Sequence, residues 1–318
     1  MPAEAPEYNC HSVIELHDPS ASPYQMSVLE RTKLHPTVVP GISQCPDLDC
    51  DAPQESFPTY IARMVSELQH VKFALASFIV NNLRRRYRRS VLGFAWSLLN
   101  PLLTMIVMTV VFSLLFHSTP RTFAMYLFTG LLPWMFVTDA ISNGSLSIVQ
   151  SEHYLKKVYI PKMFFPLVAV GTEAANFCLS LVSMIVLGIC MGMHTGMSLL
   201  LAPVAIILLT AFNFSISLLL AIATVYFRDL THIIKITLNA VFYLVPILYP
   251  LNQIPAHFRP FFLLNPMYYF INLFRLTIND CQMPSLFDWA VPTVTVILVF
   301  ALATYTLMKT EKDLIYRL

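Results

Sequence analysis

RRRYRRSVLGFAWSLLNP, residues 84–101, sets five arginines (Arg84, Arg85, Arg86, Arg88 and Arg89) against an uncharged run that continues to Phe116. Counted from Ser90, that run exceeds the ~20 residues a helix needs to cross bilayer hydrocarbon. Moving arginines across a membrane is unfavourable, so a basic cluster abutting an apolar run of this length marks the inner end of a membrane helix. Tyr87 and Trp96 suit the headgroup layer, where a ring with one polar edge is comfortable. The stretch predicts an integral membrane protein with its N-terminus inside. A nucleic-acid role would call for a soluble basic domain, and none is present. A signal peptide places its apolar core near the start of a chain, whereas the first apolar run here begins near residue 90.

Outward from that stretch, composition agrees. The 318 residues are 56% hydrophobic and 12% charged, about half the charged share of an ordinary soluble domain. The net charge of +2 conceals a division. Residues 1–58 carry nine acidic and two basic side chains and nine of the 22 prolines, with no helical or alternating pattern. They read as a disordered acidic cytoplasmic tail. Cys45 and Cys50 within it (CPDLDC) have a metal-like spacing, but no second pair or nearby histidine completes four ligands. The six cysteines are scattered and imply no disulfide framework.

Residues 59–89 form the second unit. Ile61, Met64, Val65, Leu68, Val71, Leu75, Phe78 and Ile79 follow helical spacing, with Arg63, Glu67 and Lys72 interspersed. Such a helix is amphipathic and too polar to span, so it is expected in the inner interface, with the arginines near anionic lipid headgroups.

Residues 90–318 form the third unit, with six spans expected at about 97–116, 124–146, 164–192, 198–226, 234–250 and 289–308. Residues 251–288 are broken by Pro255, Pro260, Pro266 and Pro284 yet stay apolar. A pair of short re-entrant helices fits them, since non-spanning backbone survives at depth only when buried or lining a cavity. Both termini then fall on one side. The segments assigned inside hold seventeen Lys and Arg, against Arg121, Arg259 and Arg275 outside. The fold class is an all-α integral membrane protein.

These residues carry a resemblance. RRRYRRSVLGFAWSLLNPLL (84–103), GLLPWMF (130–136), KKVYIPKMFFPL (156–167), YFRDLTH (226–232), PILYP (246–250) and NPMYYFINLFR (265–275) occur in that order. Over roughly residues 60–318 the chain resembles the membrane subunits of ABC-2 type exporters, specifically the polysaccharide branch of O-antigen, capsule and teichoic-acid permeases. The resemblance implies a homodimer in the inner membrane with a channel between the subunits. It implies two copies of a separate ATPase subunit holding ATP and Mg, and a glycan carried on undecaprenyl diphosphate. The chain itself has no GxxxxGK[ST] phosphate loop, and no cofactor, metal or catalytic residue is assigned to it. There are two departures. Lys162-Met163 lacks the acid of the family's usual basic–acidic pair, and Asn176 stands where the third span often carries aspartate, with Glu173 three residues earlier.

The candidate residues fall into three groups. By resemblance, the 150–162 segment (Glu152, His153, Lys156, Lys157) is the helix that docks into the ATPase. The plain alternative for it is a solvated basic loop. Arg228 and Asp229 form a second contact or hinge, or simply a helix cap. The arginines at 84–89 are candidates for the carrier diphosphate, because guanidinium forks match phosphate oxygens, with generic lipid anchoring as the alternative. Trp96, Tyr126, Trp134, Glu173 and Asn176 are candidates for the translocation path, since sugars stack on rings and charges at membrane depth tend to face protein or water. Asp139 fits a structural role. Two other functions remain open at this point: export of a small drug or lipid, and a membrane-embedded glycosyl or phosphoglycosyl transferase.

Overall fold

A computed structural model describes residues 56–87, 95–115, 119–157, 160–190, 192 and 196–317. Residues 1–55 of the acidic tail, Arg88 and Arg89 lie outside the described residues, whereas the last three tail residues, Ser56, Phe57 and Pro58, open the first helix. Among those described, the secondary structure is entirely helical.

The amphipathic segment forms two helices, α1 (Phe57–His70) and α2 (Lys72–Tyr87), instead of one. Pro58 starts α1 where a missing N–H costs nothing. Tyr60 and Met64, one turn apart, are its buried residues. The break falls at Val71, whose N–H still reaches Glu67 O while its own dihedrals leave the helix. The last turn of α2 carries Arg84, Arg85 and Arg86.

Next come α3 (Ala95–Leu115), α4 (Pro120–Gln150), a single turn α5 (Glu152–Leu155), α6 (Phe164–Cys190), α7 (Ala202–Tyr226) and α8 (Leu230–Leu244). Short 3₁₀ pieces at Met197–Leu201 and Leu251–Gln253 precede α7 and α9 (Arg259–Leu263) respectively. Then α10 (Pro266–Phe274) runs into a π-helical turn, Arg275–Asn279, and α11 (Leu286–Arg317) closes the chain. The 150–162 segment, expected as a docking helix, thus contributes one helical turn in its described part. Ser285 and Asp288 cap α11 reciprocally, with Asp288 Oδ2 accepting from Ser285 N at 2.9 Å and Ser285 Oγ at 2.7 Å.

Four helices are long and apolar enough to cross a membrane: Phe123–Gln150, Phe164–Ile189, Met197–Tyr226 and Leu286–Glu311. Two shorter apolar helices, Leu102–Leu115 and Leu230–Leu244, occupy the first and fifth of the six expected positions. The protein is a multi-pass helical membrane protein.

The core lies where α4 packs on α6 and α7, with α11 against the other side of α7. Small residues set the closest approach. A Cβ on Gly144 would fall 2.5 Å from Ser217 Cβ, so only glycine lets α4 and α7 meet there. Ser217 Oγ then donates across to Ala140 O at 3.1 Å. Other hydroxyls in α7 bond back within the helix, as Thr210 does to Ile206 O and Thr224 to Leu220 O. Without water at that depth, these hydroxyls take their acceptors from the protein. The faces of α3 and α11 turned away from the core are strongly apolar, with Val107, Leu114, Ile297 and Leu298 exposed.

Candidate functional site

The arginine-rich end of the bundle holds an open groove of about 1660 Å³ between α2, α4 and α6. One wall is the last turn of α2 with Arg84, Arg85 and Arg86. Asn143 and Ser147, one turn apart on α4, face it, and Thr172 and Glu173 of α6 close it on the third side. Aromatic packing holds α2 in place: the Phe78 ring meets Phe164 edge-on at 5.4 Å and Tyr154 at 6.0 Å. Gly171 allows the approach, since a Cβ there would fall 2.7 Å from Ile79 Cδ1.

A single carboxylate organises the groove. Arg86 Nη1 donates to both Glu173 oxygens at 2.9 Å. Asn143 Nδ2 donates to Oε1 at 2.8 Å and Asn176 Nδ2 to Oε2 at 3.1 Å. The Glu173 side chain is 8% exposed and that of Arg86 48%. A charge withdrawn this far from water needs such partners, because desolvating it unpaired costs several kcal/mol. The expected nearness of Glu173 and Asn176 on one helix face is therefore seen as a direct hydrogen bond. The structure adds Arg86, 87 residues earlier in the chain. Two residue groups that the sequence kept apart, a lipid-diphosphate cluster and a pathway pair, meet at one point. Asp139, one turn before Asn143 on α4, is exposed.

The other candidates are distributed as follows. In the α5 turn Lys156 Nζ pairs with Glu152 Oε1, and His153, Lys156 and Lys157 are exposed. The Lys156 ammonium, followed by His153 and Arg228, holds the Glu152 carboxyl below its usual range. Arg228 is exposed and Asp229 occupies the N-cap position of α8 without a side-chain cap bond. Trp96 is exposed, Tyr126 is half-buried, and Trp134 is buried in the core against Phe242 at 6.0 Å. Among the described residues, no three His, Cys, Asp or Glu cluster as a metal site.

Sequence reasoning counted Arg275 only as a charge on the outer side. In the fold it is 7% exposed at the far end of the bundle. Its Nη2 donates to Ile247 O at 3.0 Å, and its guanidinium lies 4.0 Å from the centroid of the Tyr126 ring. Tyr126 Oη in turn donates to Tyr249 O at 3.1 Å. Arg275 thereby binds the 245–249 turn to the start of α4. The available signal was an arginine inside an apolar, proline-broken segment.

Residues 74–279 match the family model described as ABC-2 type transporter. The chain is 33% identical over 242 residues to the O-antigen export system permease protein RfbA of Myxococcus xanthus, a match covering 75% of this chain and 93% of that protein. It is 30% identical to the Klebsiella pneumoniae protein of the same name, over 61% of this chain and 76% of the relative. The polysialic acid transport protein KpsM of Escherichia coli is 22% identical, over 68% and 84% respectively.

Proposed function

The chain belongs to the ABC-2 type transporter family, and on that basis we propose that it is the membrane permease subunit of an ATP-driven exporter of lipid-linked polysaccharide. Its relatives are named for O-antigen export and polysialic acid transport. The observation that carries the finer reading is the groove at the end of α2. Three arginines stand over a polar floor of Asn143, Ser147 and Thr172 beside the Glu173 carboxylate. Guanidinium groups grip phosphate oxygens in a planar, two-point fashion, so this wall suits the diphosphate of a carrier such as undecaprenyl diphosphate. The glycan would remain outside the groove, toward the path between subunits.

In this reading the chain works as a homodimer in the inner membrane, with six spans and both termini in the cytoplasm. The α3 and α8 helices complete the set of crossings. Two copies of an ABC ATPase bind ATP with Mg and press on the exposed face formed by the α5 turn and the 226–232 connection. Glu152, His153, Lys156, Lys157, Arg228 and Asp229 supply that face. Closure of the ATPase shifts these connections and opens a passage between the subunits.

The test uses inverted membrane vesicles loaded with the host's lipid-linked glycan. ATP should drive glycan into the lumen only when this chain and its ATPase are both present. Transport by this chain without the ATPase would refute the reading. Full transport by the double variant Arg86→Ala, Arg88→Ala at normal membrane levels would refute the diphosphate role of the arginine wall.

A further inference from the structure

The last helix runs on past its apolar span to Arg317, and its final turns gather contacts from three other parts of the chain. Tyr60 Oη donates to Glu311 Oε2 at 2.9 Å, and Arg63 Nη2 lies 3.4 Å from the same oxygen. Lys162 Nζ stands 3.8 Å from Glu311 Oε1 and also donates to the Glu311 backbone carbonyl. One turn on, Leu314 is fully buried, and Arg317 lies over the Tyr226 ring at 4.6 Å. One residue of α11 thus holds α1 and the end of the 150–162 segment, while the following turn touches the end of α7.

This is not an ordinary surface ion pair. Tyr60 is 2% exposed and the Lys162 side chain 10%. Burial pushes the Lys162 ammonium down from its usual pKa, with Glu311 opposing the shift, and burial pushes the Tyr60 phenol up. Exposed pairs contribute little to stability and tolerate many geometries. A desolvated ammonium next to a carboxylate that also accepts from a buried phenol tolerates few. Pro161 and Met163, on either side of Lys162, are both buried, so the lysine leaves the segment from a fixed backbone.

We propose that Glu311 is a positioning residue for energy transfer, fastening the 150–162 segment to α1 and the last helix so that a displacement of that segment moves all three together. α2 follows α1 directly after Val71, whose carbonyl accepts from Leu75 N at 2.9 Å, so the motion is handed on to the arginine wall of the groove. Without the fastening, it would be absorbed in the connection. The inference rests on the coupling role given above to the 150–162 segment.

Glu311→Gln keeps an oxygen for Tyr60 and removes the charge facing Lys162 and Arg63. In vesicles containing the full complex, ATP hydrolysis should stay within about two-fold of wild type while glycan moved per ATP falls about ten-fold, a typical coupling effect. Lys162→Met should do the same, and the double variant should be no worse than either single change. An unchanged ratio, or a proportional fall in hydrolysis and transport, would overturn the proposal, because a merely structural residue lowers both together. The second arm needs no transport: spin labels replace the exposed Ser66 and Gln150. Their separation should keep one narrow distribution through the ATP cycle in the otherwise wild-type chain and broaden in Glu311→Gln. Equal widths would count against the fastening. A wild-type complex that moves no glycan sinks the functional reading alone, and the label arm still decides on Glu311.

Discussion

Arg86 and Arg275 stand at opposite ends of the bundle and are held by opposite means. Arg86 is half in solvent, meets a carboxylate and opens onto a groove. Arg275 is enclosed, donates to the Ile247 carbonyl and rests on the face of Tyr126. One guanidinium is thus held by neutral backbone and ring partners, and the other by a buried carboxylate at the wall of a groove. The same contrast extends to the ground beneath them. Arg275 lies over Gly130, where a Cβ would come within 3.2 Å of both Arg275 Nη2 and Ile247 Cγ2. The groove is flanked by Gly171, where a Cβ would meet the end of the Ile79 side chain.

Arg275→Ala should have the largest effect, about 2–4 kcal/mol of lost stability, since it leaves a buried carbonyl without its donor and a cavity beside the Tyr126 ring. Thermal unfolding in detergent reads this, and a loss below that of Arg86→Ala would break the comparison. Glu173→Gln should cost less, about 1–3 kcal/mol, and locally. Hydrogen exchange should rise in residues 72–87 while the global melt barely moves. A paired test with alanine sharpens the contrast further. Gly130→Ala crowds the Arg275 guanidinium and the β-branched Ile247 methyl, which the Arg275–Ile247 hydrogen bond holds together, and should cost about 1–2 kcal/mol, against less than about 1 for Gly171→Ala, where only a flexible methyl must yield. Smallest is the pH response of the α5 turn. Glu152 has its carboxyl pKa lowered by Lys156, so the pairing is complete above the ordinary value of 4.5. It is lost as pH falls through the lowered folded value. Exchange at Tyr154 and Leu155 should quicken across that interval, with no change in the melt.

Signals confined to a short stretch were readable. The arginine cluster against an apolar run, the proline-broken outer segment and the apolar lengths of α4, α6, α7 and α11 all announce themselves locally. The Ser285–Asp288 capping pair was equally local and went unread. Partnerships that depend on packing were invisible. Nothing near Glu173 points to Arg86, and nothing near Glu311 points to Lys162, 149 residues away. Lone carboxylates in or beside apolar runs did signal that some partner must exist, because burying them unpaired is too costly. The break at Val71 escaped because valine continues the helical spacing on both sides of it.

The 31-residue α4 is a rod about 46 Å long, well beyond the ~30 Å thickness of hydrocarbon. Tyr126 and Asn143 ride on the same rod about 26 Å apart, one under Arg275 and the other beside Arg86. A tilt of about 5° over that length displaces one end by roughly 2 Å, enough to make or break a hydrogen bond. Pro133 sits between them inside the helix and removes one rung of the ladder. Both arginine clusters are thus borne by a single rod, and the missing rung lies between them.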